Sequence, residues 1–273
     1  MSCKTILVNL DIDGPAEPLI EAARDLAQRL QATLIGLSAA EAEWPFVGDD
    51  GGTIAVELWE KGRDDINASF DTLHADFDRL TKSTGNAEWR QVIGSPTRAL
   101  AGLSRVADLI VMRAAKGAAT RDSARAAAPS SVVLQAGRPV LVLAHGRNHV
   151  PLKKAVIAWK DSREARRALM DAVPLLAAFE EVTVVTVAAV IEPWIHADLA
   201  DVTAFLARHG IQARAETVEG SDESAKLLGF IASSGADLVV SGAYGHSRLR
   251  EWAFGGVTRS LLDTTDINRF MSR

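Results

Sequence analysis

Residues 154–161 read Lys154-Ala-Val-Ile-Ala-Trp-Lys-Asp161, and residues 4–11 read Lys4-Thr-Ile-Leu-Val-Asn-Leu-Asp11. Each stretch is a basic residue, an apolar run of strand length and a terminal Asp. Helical periodicity follows both. Leu19, Ala22, Ala23, Leu26, Ala27 and Leu30 form one apolar stripe, and Ala165, Ala168, Leu169, Ala172, Val173 and Leu176 form the other. Asp161, with Glu164 three residues on, reads as a capping box. A second strand follows in each half, Ala32–Leu37 and Val182–Val187. Then come a long polar helix from about Val56 to Leu80 and a shorter one from about Leu199 to His209. Gly94-Ser95 and Gly220-Ser221 each open a further helix, with the Ser as N-cap. Ala107-Asp-Leu-Ile-Val111 finally matches Ala236-Asp-Leu-Val-Val240.

The same elements recur in the same order, so the chain is a duplicated unit. Strands alternating with helices imply parallel βαβ crossovers, and apolar strands without alternation imply a sheet covered on both faces. The fold class is α/β, with two tandem doubly wound parallel sheets of about five strands each. The domains are expected at 1–146 and 151–273, with Gly146–Pro151 as linker. The last strand of the second half, Ile267-Asn-Arg-Phe-Met271, departs from its counterpart Arg138-Pro-Val-Leu-Val142. Asn268 and Arg269 bring into question whether these fifth strands pair across the two halves, and in which register.

Bulk composition bounds the function. The 273 residues are 48% hydrophobic and 24% charged, as expected of a chain with a real core. A net charge of -5 argues against nucleic acid or an anionic membrane as main partner. The single cysteine, Cys3, cannot form a disulfide framework and points to a reducing compartment. There is no signal-peptide pattern and no apolar run approaching the ~18 residues of a membrane span. The expected location is the cytoplasm.

Ligands of open α/β sheets bind beyond the carboxyl ends of the strands. After the strand ending at Val240 the chain reads Ser241-Gly-Ala-Tyr-Gly245. His246 through Phe254 follow, and then Gly255-Gly-Val-Thr258 open the last helix. Gly242 and Gly245 permit a tight turn and close approach of backbone to a ligand. Gly255 and Gly256 leave bare N–H groups at a helix N-terminus, where an anion is favoured. The paired glycines together read as a phosphate nest.

The spacing Gly242, Gly245, Gly255 resembles that of nucleotide-binding members of the universal stress protein family, and the likeness extends over the whole chain as a tandem of two family domains. The resemblance implies strand order 3-2-1-4-5 and ATP or another adenine nucleotide as ligand, with or without Mg²⁺. It implies phosphate contacts from Gly242, Tyr244, Gly245, Gly255, Gly256, Val257 and Thr258. Adenosine contacts would come from Ala158, Trp159, Lys160, Asp161 and Val187. The chain departs from the family pattern twice. Gly256 stands where Ser or Thr would follow Gly255, and Lys160, followed by Asp161, stands where an Asp would end the first strand.

The first half has no such loop. Only Gly117 remains in Arg113–Arg121, and Asp13-Gly14 reads as a turn. The first domain is therefore expected to be a degenerate, structural partner. His145 and His149 lack a helix to bring them onto one metal. His246-Ser247 lacks an activating acid. Arg248 and Arg250 could reach phosphates, Trp252 and Phe254 read as loop anchors, and Arg163, Arg166 and Arg167 read as a solvated helix face. With no P-loop and no acidic pair for Mg²⁺, the expectation is a nucleotide-dependent switch acting on an unidentified protein partner, not an enzyme beyond slow ATP hydrolysis. A scaffold that binds no nucleotide is the alternative. The tandem supplies an intrachain pseudo-dimer, as a monomer or a homodimer of tandems.

Overall fold

The computed structural model describes residues 2–45, 52–113, 123–244, 256–263 and 266–273. The first half runs β1 (Thr5–Asn9), α1 (Ala16–Leu30), β2 (Thr33–Ala40), α2 (Gly52–Thr81), β3 (Ala87–Ile93), α3 (Pro96–Leu103), β4 (Leu109–Arg113), α4 (Pro129–Gln135) and β5 (Val140–Leu143). The second runs β6 (Lys154–Ala158), α5 (Arg163–Leu176), β7 (Glu181–Ala188), α6 (Pro193–Arg208), β8 (Ala213–Glu219), α7 (Glu223–Ser234), β9 (Leu238–Gly242), α8 (Gly256–Asp263) and β10 (Asn268–Ser272). All strands join one ten-stranded sheet in the order β3-β2-β1-β4-β5-β10-β9-β6-β7-β8. Each half thus has the order 3-2-1-4-5, as expected, and every pairing within a half is parallel.

The repeated Ala-Asp-Leu has a structural job that the sequence reading did not find. Asp108 accepts from the backbone N–H groups of Lys4 (2.8 Å) and Thr5 (3.0 Å) at the start of β1. Asp237 does the same for Lys154 N–H (3.0 Å) at the start of β6. Each carboxylate satisfies donors that the central strand leaves unpaired where it enters the sheet.

Several local expectations are corrected. Ser162, not Asp161, caps α5, its hydroxyl accepting from Ala165 N–H at 3.2 Å. Asp161 instead pairs with Arg166. Asp222, not Ser221, caps α7 by accepting from Ala225 N–H, whereas Ser95 caps α3 as expected. Helix α6 starts at Pro193, well before Leu199. Proline is preorganised for the first helical position, and Ile195 extends the buried stripe of Leu199, Val202 and Leu206 by one more turn.

The fifth strands do pair. β10 runs antiparallel to β5, with Arg269 opposite Val142, Phe270 opposite Leu141 and Met271 opposite Val140. The polar residues that brought this pairing into question have backbone partners. Asn268 accepts from Ala144 N–H (2.9 Å) through Oδ1 and donates to Asp237 C=O (2.8 Å) through Nδ2. Arg269 is 1% exposed, and its guanidinium donates to the carbonyls of Leu261 and Leu262 near the end of α8, and to Leu143 of β5. Carbonyls at a helix C-terminus carry partial negative charge and suit a buried cation. Burial still pushes the Arg269 guanidinium down to about 10. Asn268→Val removes both bonds while keeping a strand-forming residue. It should cost about 2 kcal/mol, read as a lower urea midpoint. An unchanged midpoint would mean that the seam does not depend on this side chain.

Candidate functional site

In the second half the chain leaves β6 toward β7 on one side and returns to β9 on the other, which makes the carboxyl end of the β6/β9 pair the switch point. The sheet's two faces differ there. Trp159 follows β6 on the face covered by α5 and α6, is 8% exposed and packs in the large core. On the opposite face Ala158, Val187 and Val257 lie half-buried around a smaller cluster of Val156, Val185, Val239 and Leu261. Three predicted ligand residues therefore share one apolar wall beside α7 and α8.

Ser241 belongs to this wall and was not singled out as a site residue. It lies opposite Ala158 in the ladder and, two residues beyond Val239, shares that residue's face. It is 4% exposed, and its hydroxyl has no hydrogen-bond partner among the described residues. A buried hydroxyl at the edge of a half-open apolar surface is a polar group awaiting a ligand atom or water. The sequence signal was present: a lone polar residue at the end of an apolar strand.

Gly242 has a packing role that the sequence reading did not find. A Cβ on Gly242 would fall 2.6 Å from Ala165 N and from Glu164 C. The first turn of α5 fills that space, so Gly242 is required for helix–strand packing. Gly256 opens α8, and a Cβ there would lie 3.0 Å from the Ser224 hydroxyl on α7. Thr258 is buried and its hydroxyl accepts from Tyr244 N–H at 3.4 Å, so it holds the chain leaving β9. Tyr244 has φ 60°, in the left-handed region. Its ring is turned to the seam, packed on a cluster that includes Ile110, Met112 and Val132 of the first half. Its hydroxyl lies by Ser130, and burial pushes its pKa above the usual phenol value. Gly245 and Gly255 lie outside the described residues, as do His246, Ser247, Arg248, Arg250, Trp252 and Phe254.

At the adenosine end both candidate side chains are ion-paired. Lys160 Nζ reaches both carboxylate oxygens of Glu223 (3.0 and 2.9 Å), bridging from the end of β6 to the start of α7. Asp161 is held by Arg166. The ladders also correct the internal alignment. Ile6 opposite Leu109 corresponds to Ala155 opposite Leu238, which makes Lys160, not Asp161, the counterpart of Asp11. This position is thus acidic in the first half and basic in the second.

Asp11 is engaged internally. It accepts from Asn9 Nδ2 (2.8 Å) and from Ala127 N–H (3.3 Å), just before α4. Beside it Arg125 forms a two-pronged pair with Asp13 (2.6 and 2.8 Å). An internal carboxylate therefore meets a backbone donor just before α4. Burial pushes Asp11 from 3.8 up to about 6, against the lowering effect of the Asn9 and Ala127 bonds. The folded protein binds this proton more tightly than the unfolded chain. The stability it contributes is full below pH 4 and is lost as pH rises to about 6. Asp11→Asn should raise stability relative to the parent at pH 7.5 and bring the two together near pH 4, read as paired denaturant curves. A constant difference across that range would contradict the assignment. Gly242→Ala should destabilise the ligand-free protein by about 1–3 kcal/mol through overpacking against α5. A parental melting temperature without ligand would instead favour a ligand-only role.

No family model matches the sequence, and no curated protein matches it. Solved structures do. A universal stress protein from Archaeoglobus fulgidus superposes with TM-score 0.70 at 16% identity, covering 100% of this chain and 97% of that one. A protein of unknown function from Pseudomonas aeruginosa gives TM-score 0.59 at 16% identity, covering 99% and 92%. A candidate universal stress protein from the same species gives 0.60 at 15%, covering 99% and 93%. Identities this low speak to the fold, and in fold the whole chain, both halves together, is similar to the universal stress proteins.

Proposed function

We propose that the chain is a tandem universal stress protein with domains at 1–146 and 151–273, whose second domain binds ATP or another adenine nucleotide, with or without Mg²⁺. The observation that carries this reading is the unpartnered Ser241 hydroxyl set in the wall of Ala158, Val187 and Val257 at the switch point. A purine has flat apolar faces for such a wall and ring nitrogens for such a hydroxyl. The first N–H groups of α8, at Gly256, Val257 and Thr258, are the orphan donors that a phosphate would take. Gly245 and Gly255 complete the loop by sequence spacing. Occupancy would act as a switch: a ligand touching both β6 and α8 favours one arrangement of the chain between them and so changes the surface offered to a protein partner. The reading assigns no catalytic residue, and hydrolysis, where it occurs, is slow. It places the protein in the cytoplasm; no described helix is long and apolar enough to cross a membrane.

The Lys160–Glu223 pair favours a second reading, a scaffold of the same fold without nucleotide, because it spans the place where adenosine would enter. The test is native purification, denaturation and mass spectrometry of what is released, with melting curves in Mg-ATP. A near-stoichiometric adenine nucleotide, or a melting temperature raised by Mg-ATP, is expected. Gly245→Val should abolish the effect, and Ser241→Ala should weaken binding about tenfold. A protein that is empty and gains nothing from Mg-ATP would leave the scaffold reading.

A further inference from the structure

A cleft lies at the seam between the halves, lined by residues other than those of the apolar wall. Its volume is about 380 Å³, within the range of small-molecule sites. Four arginines line it: Arg138 just before β5, Arg163 and Arg167 on the first turns of α5, and Arg273 just after β10. No Asp or Glu side chain is among its described lining residues. The pairing of β5 with β10 brings together residues that are far apart in sequence.

Two of the arginines have carboxylate partners outside the lining. Arg163 pairs with Glu164 and Arg167 with Asp171. The other two have none among the described residues. Arg138 Nε donates to Ser104 C=O at 3.3 Å, and Arg273 donates to Leu134 C=O at 3.4 Å. Those long bonds to neutral carbonyls position the guanidinium groups without neutralising them. On a protein of net charge -5, a concavity lined by two ion-paired arginines and two without a carboxylate partner among the described residues is a local reversal of sign that attracts anions. Taken singly, Arg163 and Arg167 are the solvated helix face expected from sequence; their convergence with Arg138 and Arg273 is a product of the tertiary fold.

We infer that this cleft binds a small soluble phosphate-bearing anion carrying at least two negative charges, of the pyrophosphate class. Arginine forks match phosphate oxygens two at a time. A ligand held by Arg138 from the first half and by Arg163, Arg167 and Arg273 from the second bridges the halves and stabilises their union. The site shares no residue with the proposed nucleotide site, and the inference does not depend on that reading.

The test is calorimetric titration of the full chain with pyrophosphate at low salt, with citrate as a carboxylate control. One pyrophosphate per chain is expected, with citrate weaker. Arg138→Gln with Arg273→Gln should raise the dissociation constant by about tenfold or more, since each charge-assisted bond is a strong one. Arg138→Lys with Arg273→Lys keeps the charge, should fold as the parent does and should retain part of the affinity. Absence of binding by the parent, equal binding of citrate, or glutamine variants that fold and bind as the parent does would each overturn the inference. So would pyrophosphate binding that survives the glutamine variants but is lost in Gly245→Val, because the anion would then sit in the glycine loop.

Discussion

Among the described residues, β5 and β10 meet in the one antiparallel pairing of a sheet that is otherwise parallel. Without it each half would end in an open fifth strand whose backbone groups face water or another chain. With it the hydrogen-bonded ladder is continuous from β3 to β8, and the core on the α1 and α5 face runs through both halves. The polar groups that make this join are unusual for central strands. Asn268 ties β10 to the segment after β5 and to the residue before β9, and the Arg269 guanidinium reaches carbonyls of α8 and β5. Buried polar groups engaged in this way fix register, since a slip of one residue would break their bonds within an apolar layer.

The fold was legible because duplication prints every signal twice. A weak apolar run such as Val182–Val187 becomes a secure strand once Ala32–Leu37 stands at the same place in the first half. Misreadings arose where neighbouring residues of similar type compete for one position. Asp161 and Ser162 can both cap a helix, and only the pairing of Asp161 with Arg166 leaves the cap to Ser162. The repeat alignment set Asp11 against Asp161, and the ladder shifts it by one residue to Lys160, which the family pattern had already placed there. Gly242 looked like a ligand-side glycine because local sequence cannot say what fills the missing side chain's space; here it is the first turn of α5. The apolar residues of the candidate site were found through family resemblance. Ser241 was missed because its importance lies in what it does not touch.

The two switch points have taken different courses from a common plan. In the first half the carboxylate at the end of β1 turns inward to Asn9 and Ala127, and Arg125 closes over the adjoining turn through Asp13. The second half carries a lysine at the same position, ion-paired to the start of α7, and keeps an apolar wall with one free hydroxyl. Tyr244 links these regions: its backbone follows β9, while its side chain packs against a cluster with members from both halves and its hydroxyl lies by Ser130 of α4.

Joining both halves in one polypeptide has an evolutionary consequence. A homodimer of single units must carry any substitution twice, once in each symmetry-related copy, so its two sites stay identical. The fused chain is released from that rule. One copy of a position can remain acidic while the other becomes basic, as Asp11 and Lys160 have done, and a cluster such as Arg138, Arg163, Arg167 and Arg273 can arise on one side of the axis only. Covalent linkage also makes the encounter of the halves independent of protein concentration. A symmetric ancestor could thus become a lopsided molecule without losing the partner on which its sheet depends.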